Sequence, residues 1–390
     1  MSTLMIDQRE ATAAENSPTV ELTDAHPRGS PRVLMAAGGT GGHIFPALAV
    51  ARELRARNRS RSGEAPEPEI EFLGTGRGLE AQVVPAAGFR LRTIVAAGLK
   101  GLKGAKRVVN LLVLPRSAFQ TARVLREFQP DVVVGIGGYL AGPVMLEAAL
   151  KDIPTLLIEP NAVPGFTNRV LAPLVRVAAV GFERAAAFYG AKARVTGHPI
   201  RREFFTVPTK VHAAPFTILV LGGSQGSRGI NLLLPEVMAL MPAGTVKVIH
   251  QTGERDYNAV EGAYRERGIV AEVSTFIQDV PGALSRADLV VARSGASTVA
   301  EIAAAGKASV LIPFPYATDQ HQLRNAQALE RAGAACVLEE RDLTPKRLAN
   351  GILEMLRSPD EIAAMERAAR SFARPDAAAE IADLIEKLAR

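Results

Sequence analysis

The sequence predicts an α/β protein built from two doubly wound, Rossmann-like domains that face a central cleft. Three observations predict it. The stretch Arg32–Ala51 reads as a buried strand, a four-glycine loop and a helix, and the same order returns at Phe216–Asn231. Around these, Val/Ile/Leu runs alternate with helical patterns at the spacing of βαβ units, the signature of parallel sheets covered on both faces. A chain of 390 residues is also too long for one ordinary core and fits two.

Residues 1–30 are polar, end in Pro and Gly, and have no apolar core segment. They read as a disordered extension and not as a signal peptide. The first domain is expected over 31–198. Its strand-like runs are 32–36, 69–74, 90–96, 132–135, 155–159, 177–181 and 194–196. Helical patterns fall at about 44–57, 78–87, 106–128, 140–151 and 165–173, and 58–68 reads as an exposed loop. His198 to Pro208 and a polar stretch to Pro215 form the expected hinge into a second domain, 199–372. There the strands are expected at 217–221, 246–250, 272–276, 289–292, 309–312 and 335–338, with helices near 344–356 and 359–372. Pro375 then separates a last helix, within 373–390, which is free to turn back onto the first domain.

Composition narrows the function. The net charge of +6 comes without an aromatic-interleaved basic stripe, so nucleic acid is not the expected partner. The single cysteine, Cys336, sits in an apolar run and reads as a small core residue, so no disulfide framework is possible. The six histidines are scattered, with no metal-ligand spacing, and neither a metal nor a cofactor is expected. No segment approaches the ~18 consecutive apolar residues of a membrane span. The positive charge is concentrated instead: Lys100, Lys103, Lys106, Arg107, Arg116, Arg123 and Arg126 lie among leucines and valines with no acid between them. Such a segment is either the solvated face of a helix or a surface that dips into anionic lipid.

The glycine loops carry the chemistry. Backbone N–H groups approach a phosphate closely in such a loop, and the following helix adds a partial positive charge. The first loop lacks the third glycine of the dinucleotide fingerprint and the Lys-Ser/Thr of a P-loop. His43 stands where this loop becomes a helix, at the mouth of an anion site. In the second domain, Arg293–Glu301 follows a strand and opens a helix that Ser294 or Ser297 can cap. Glu301 either closes a capping box with Thr298 or accepts hydrogen bonds from a ribose diol. Asp319, Gln320, His321 and Gln322 open the next helix, either as caps or as readers of sugar hydroxyls.

Seven segments in order, GGTGGHIFPALA (38–49), GIGGYLAGP (135–143), EPNAVPGFTNR (159–169), GHPIR (197–201), LGGSQGSRGIN (221–231), RSGASTVAEIAAAGK (293–307) and DQHQLRNA (319–326), resemble the MurG family of bacterial glycosyltransferases. The resemblance runs from Arg32 to the C-terminus. It implies the GT-B fold and an inverting transfer of N-acetylglucosamine from UDP-N-acetylglucosamine to an undecaprenyl-pyrophosphoryl-linked muramoyl-pentapeptide in peptidoglycan synthesis. The enzyme would sit peripherally on the cytoplasmic face of the cell membrane. The acceptor would bind the first domain. Thr40, Gly41 and Gly42 would reach the donor from across the cleft. Asn161, Arg201 and Ser224 would contact the donor, and Ile277 would meet the uracil through its backbone. Ala296, Ser297, Thr298, Val299, Ala300 and Glu301 would form the donor loop and helix, with Glu301 on the ribose. Gln320 or Gln322 would hold the sugar, His321 standing where the family has a glutamine. His43 would act as the general base or contact the acceptor pyrophosphate. A nucleotide-sugar epimerase or sugar-nucleotide sensor on the same fold is the competing reading.

Overall fold

The computed structural model describes residues 30–39, 41–60, 67–76, 78–95 and 105–390, without the side chains of 60 and 105–114. The expected N-terminal extension, Thr40, and Lys100 and Lys103 of the basic segment lie outside the described residues.

The N-terminal lobe holds β1 (Arg32–Ala36), β2 (Glu69–Gly74), β3 (Arg90–Thr93), β4 (Val132–Gly135), β5 (Thr155–Glu159), β6 (Val177–Val180) and β7 (Ala193–Val195). Its helices are α1 (Gly41–Ser60), α2 (Glu80–Ala86), α3 (Ala105–Phe128), α4 (Gly138–Leu150), α5 (Phe166–Leu171) and α6 (Glu183–Tyr189). The strands form one parallel sheet in the order β3-β2-β1-β4-β5-β6-β7. The C-terminal lobe repeats the plan with β8 (Phe216–Leu221), β9 (Val246–Gln251), β10 (Ala271–Ser274), β11 (Leu289–Ala292), β12 (Ser309–Leu311) and β13 (Cys336–Val337), in the parallel order β10-β9-β8-β11-β12-β13. Around it lie α7 (Arg228–Ala239), α8 (Tyr257–Glu266), α9 (Val280–Arg286), α10 (Ala296–Ala305), α11 (His321–Arg331), α12 (Pro345–Arg357) and α13 (Pro359–Phe372), followed by α14 (Ala377–Leu388).

Each sheet is apolar on both faces because helices cover both. Along β1, Val33 and Met35 point into one core and Leu34 and Ala36 into the other; along β8, Ile218 and Val220 alternate with Leu219 and Leu221 in the same way. The expected loop 58–68 is corrected at its start, since α1 continues through Ser60, and the expected strand 90–96 stops at Thr93.

The last helix does not belong to the lobe that precedes it. Ile381, Ala382, Ile385 and Leu388 of α14 complete the N-terminal core beside Ile44, Leu48 and Ala51 of α1. Arg57 fixes the contact, with Nη1 2.5 Å from Asp383 and Nη2 donating to the Ala379 carbonyl at 2.7 Å. The chain therefore crosses between lobes twice, and the crossings touch. A Cβ on Gly197 would stand 2.4 Å from Cβ of Arg374, so that position has room only for glycine, whose φ is +84°.

Candidate active site at the two switch points

In doubly wound sheets the ligand crevice opens where the strand order reverses, at the carboxyl ends of the strands. Here the reversals are β1/β4 and β8/β11. The loops that follow β1, β4 and β8 are the glycine-rich segments, and the one after β11 is the short Arg293-Ser294-Gly295 turn, so each lobe brings two loops side by side.

On the N-terminal wall, Gly39, Gly137 and Gly138 all adopt positive φ. The His43 ring lies against Gly138, where an added Cβ would stand 3.3 Å from its Cε1. His43 also hydrogen-bonds the Gly38 carbonyl. One N–H of the loop is already committed: Gly39 N donates to Glu80 Oε2 at 3.1 Å. The other oxygen of Glu80 accepts from Thr75 N at 3.1 Å and Thr75 Oγ1 at 2.7 Å. Burial works against ionisation of Glu80, yet the Thr75 and Gly39 donors hold its carboxyl below the usual range. The phosphate cradle expected from sequence is thus narrower at its base, because a buried carboxylate pins Gly39 from beneath.

A second buried carboxylate shapes the 160–165 loop. Glu159 accepts from Asn161 N at 2.9 Å, Gly165 N at 3.1 Å and Asn168 Nδ2 at 2.8 Å. Burial lifts its carboxyl above the usual range against these donors. The loop so folded reaches the other lobe. Ala162 N donates to Asn325 Oδ1 at 2.8 Å, and Asn325 Nδ2 donates to Asn161 Oδ1 at 3.1 Å and to the Ser294 carbonyl at 3.2 Å. Asn161 therefore stands at the junction of the lobes with its amide already engaged.

On the C-terminal wall, a Cβ on Gly226 would stand 1.7 Å from the Thr252 carbonyl, so the 222–227 loop lies flat on the end of β9. Ser224 is exposed at its tip. Ser227 heads α7, and its Oγ accepts from Arg293 Nε at 2.8 Å. The buried Arg293 guanidinium also donates to the carbonyls of Ile312 and Pro313, both at 3.1 Å, and pairs with Glu340 at 2.6 Å. Gln251 joins two further pieces, donating to the Gly223 carbonyl at 2.9 Å and accepting from Ile277 N at 2.9 Å. The backbone N–H of Ile277 is thus occupied, which leaves its carbonyl.

The capping expectations at α10 fail. The N-cap is Gly295, with no side-chain cap. Ser294 Oγ instead donates to the Gln322 carbonyl at 2.8 Å, and Ser297 Oγ lies 3.0 Å from His198 Nε2 across the lobe boundary. Glu301 stands a turn too far along the helix to cap it. Val299 is fully buried in the core and Ala296 nearly so, while Ser297, Thr298, Ala300 and Glu301 are half-buried. Desolvation pushes the Glu301 carboxyl up to about 7, against the opposing pull of the Arg201 guanidinium. Arg201 itself lies over the Phe204 ring, 5.1 Å from its centroid.

Gln320 is exposed at the head of α11, whereas Gln322 Oε1 accepts from Phe314 N at 3.0 Å and braces the turn before it. His321 accompanies them, its Nδ1 2.6 Å from the Thr318 carbonyl. His43 of α1, His321 of α11 and His198 of the segment between the lobes converge on the cleft. Burial lowers His43 below its ordinary value, aided by the charge of His321, and burial lowers His198 to about 4. Sequence reasoning missed Glu80, Glu159, Gln251 and Arg293. Among the described residues no three His, Cys, Asp or Glu side chains gather as a metal site, and no helix is long and apolar enough to cross a membrane.

Two parallel lobes with a glycine loop at each switch point are the architecture of the two-lobed glycosyltransferases. The chain belongs to glycosyltransferase family 28: the family's N-terminal domain matches residues 33–180 and its C-terminal domain matches 217–381. It is 45% identical, over 92% of this chain and 93% of the relative, to the UDP-N-acetylglucosamine–N-acetylmuramyl-(pentapeptide) pyrophosphoryl-undecaprenol N-acetylglucosamine transferase of Anaeromyxobacter dehalogenans (strain 2CP-1). A Myxococcus xanthus protein of the same name is 44% identical over 90% of this chain and 92% of its own length. Among solved structures, MurG of Acinetobacter baumannii superposes with a TM-score of 0.73 at 32% identity, covering 92% of this chain and all of that one.

Proposed function

We propose that the chain moves N-acetylglucosamine from UDP-N-acetylglucosamine to undecaprenyl-pyrophosphoryl-N-acetylmuramoyl-pentapeptide, with inversion. The observation that carries this reading is the pair of glycine-loop walls, with His43 on one and Glu301 on the other. Relatives at 44–45% identity carry that activity in their names. Glu301 accepts from the ribose diol, the Ile277 carbonyl and the Ser224 loop take the uridine and diphosphate, and Gln320 reads the sugar. Asn161, Arg201 and the Ala296–Ala300 turn complete the donor side, with Thr40, Gly41 and Gly42 reaching over from the other lobe.

The acceptor hydroxyl oxygen forms its bond to the anomeric carbon as the bond from that carbon to the UDP oxygen breaks. The hydroxyl proton passes to His43, and the electron pair leaves with UDP. The N–H groups of the 222–227 loop, the N-terminus of α7 and Arg201 meet the charge that develops there. Transfer of labelled sugar to a short-chain acceptor analogue is the direct test. It is expected to proceed and to continue in EDTA. Loss of transfer in EDTA with recovery on Mg²⁺ or Mn²⁺ would overturn the loop-and-dipole account. Formation of UDP-N-acetylmannosamine from the donor alone would instead make the protein an epimerase.

A lipid-linked acceptor together with a nucleotide-sugar donor supports a peripheral position at the cytoplasmic face of the membrane, with the basic and apolar segment around 98–119 as the contact. Each cation near an anionic surface is worth about 1 kcal/mol. Changing Lys100, Lys103, Lys106 and Arg107 to Glu is expected to abolish sedimentation with anionic vesicles while sparing transfer to a water-soluble acceptor. Equal vesicle binding by mutant and wild type would put the membrane surface elsewhere.

A further inference from the structure

The turn that delivers Gln320 and His321 to the cleft is held in an unusual shape. Asp319 and Gln320 are consecutive non-glycine residues in the left-handed region, with φ of +53° and +52°. Left-handed residues commonly end helices, as Gln129 and Asp152 do behind α3 and α4. Asp319 and Gln320 instead precede one. Such a conformation is costly for side chains with a Cβ and persists only where neighbours over-determine it.

The neighbour comes from the other lobe. Arg169, on α5, places Nη2 2.6 Å from Asp319 Oδ2, with both side chains 35% exposed. A clasp at the same boundary, Asn161 and Ala162 with Asn325, ties the preceding loop to α11. A pair this exposed contributes little to global stability. It is nevertheless suited to biasing a local turn between two shapes, because a small bias suffices there.

We propose that Arg169 is a positioning residue for the donor sugar: from the acceptor lobe it holds Asp319, and through it the left-handed turn that presents Gln320, His321 and Gln322. The proposal rests on the transferase reading above. It makes donor recognition a property of both lobes, since Arg169 adds a hold from the N-terminal lobe to those that Phe314, Thr318 and Ser294 supply from within the C-terminal one.

The test is calorimetric titration of full-length protein with UDP-N-acetylglucosamine, alongside steady-state transfer, for wild type, Arg169→Ala, Asp319→Asn and the double variant. Asn tolerates the left-handed region and removes only the charge. Each single variant is expected to weaken donor binding and raise donor KM by about two- to fivefold, with the acceptor KM unchanged. The double variant should be no worse than either single one, and Arg169→Lys should recover part of the loss. Added salt should weaken donor binding in the wild type more than in Arg169→Ala, because an exposed pair is screened. Unchanged donor affinity in the single variants, additive losses in the double, or equal salt dependence would overturn the assignment. Failure of the wild type to bind UDP-N-acetylglucosamine at all would overturn the transferase reading and this inference with it. Binding without transfer would overturn the transferase reading alone.

Discussion

Replacing His43 with Ala is expected to lower kcat by roughly 10²–10⁴-fold, the usual worth of a positioned general base, while the donor KM stays close to wild type. The structure gives two reasons. The Gly38 carbonyl accepts from the ring, which fixes its orientation on the cleft wall. Burial and the charge of His321 hold the ring below its ordinary value against the opposing Gly38 bond, which favours the neutral form that a base needs. The sign for pH follows: a base must be deprotonated, so the rate falls on acidification, with its midpoint below 6.5 in the free enzyme. That limb is expected to vanish in the Ala variant. Unchanged kcat with a raised acceptor KM would reassign His43 to the acceptor pyrophosphate.

Glu301→Ala should raise the donor dissociation constant by at least about tenfold, because charge-assisted bonds of about 1.5–3 kcal/mol each are lost. The raised carboxyl value supplies a second signature. A ribose diol hydrogen-bonds the ionised form, so wild-type donor affinity should increase between pH 6 and 8, through the value of about 7, and that of Glu301→Gln should not. The sign for stability is opposite to the usual carboxylate. In the ligand-free fold the ionised form is disfavoured, so the cost is absent below the unfolded value of 4.5 and complete above about 7. Glu301→Gln should therefore stabilise the ligand-free protein at pH 8, by about 1–3 kcal/mol at most, and leave it unchanged at pH 4. An unaltered donor constant in Glu301→Ala would leave the residue without a part in donor binding.

Strands β1, β2, β4, β5 and β11 run over the same residues in sequence and structure, because a strand covered on both faces is rich in apolar residues and bounded by turn residues. The short helices α6, α8 and α9 carry no comparable signal in the sequence, since each is defined mainly by the sheet it covers. At α10 the serines looked like caps by local rules. Tertiary partners took them instead: the Gln322 carbonyl for Ser294 and His198 for Ser297. The positions of His43 and Glu301 could be read because each lies at or near the start of a helix that follows a strand and a short loop. Glu80 and Glu159 could not, because what makes them matter is a backbone N–H or amide brought within reach only by folding. Glu80 and Gly39 are 41 residues apart in sequence and 3.1 Å apart in space. Gln251 and Arg293 are similar: each unites loops from different strands, and no spacing rule describes such a convergence.

The position of α14 bears on how the protein is made. Ribosomes deliver a chain from its N-terminus, and domains generally fold as units in that order. Here the N-terminal lobe emerges first, but Ile381, Ala382, Ile385 and Leu388 of its core are translated only after the whole C-terminal lobe. Until they arrive, the groove on α1 that receives them stays apolar and open, and Arg57 lacks Asp383 and the Ala379 carbonyl. The lobe that is synthesised first is the last to be completed, so a nascent chain or one truncated before α14 presents an unfinished core to its surroundings.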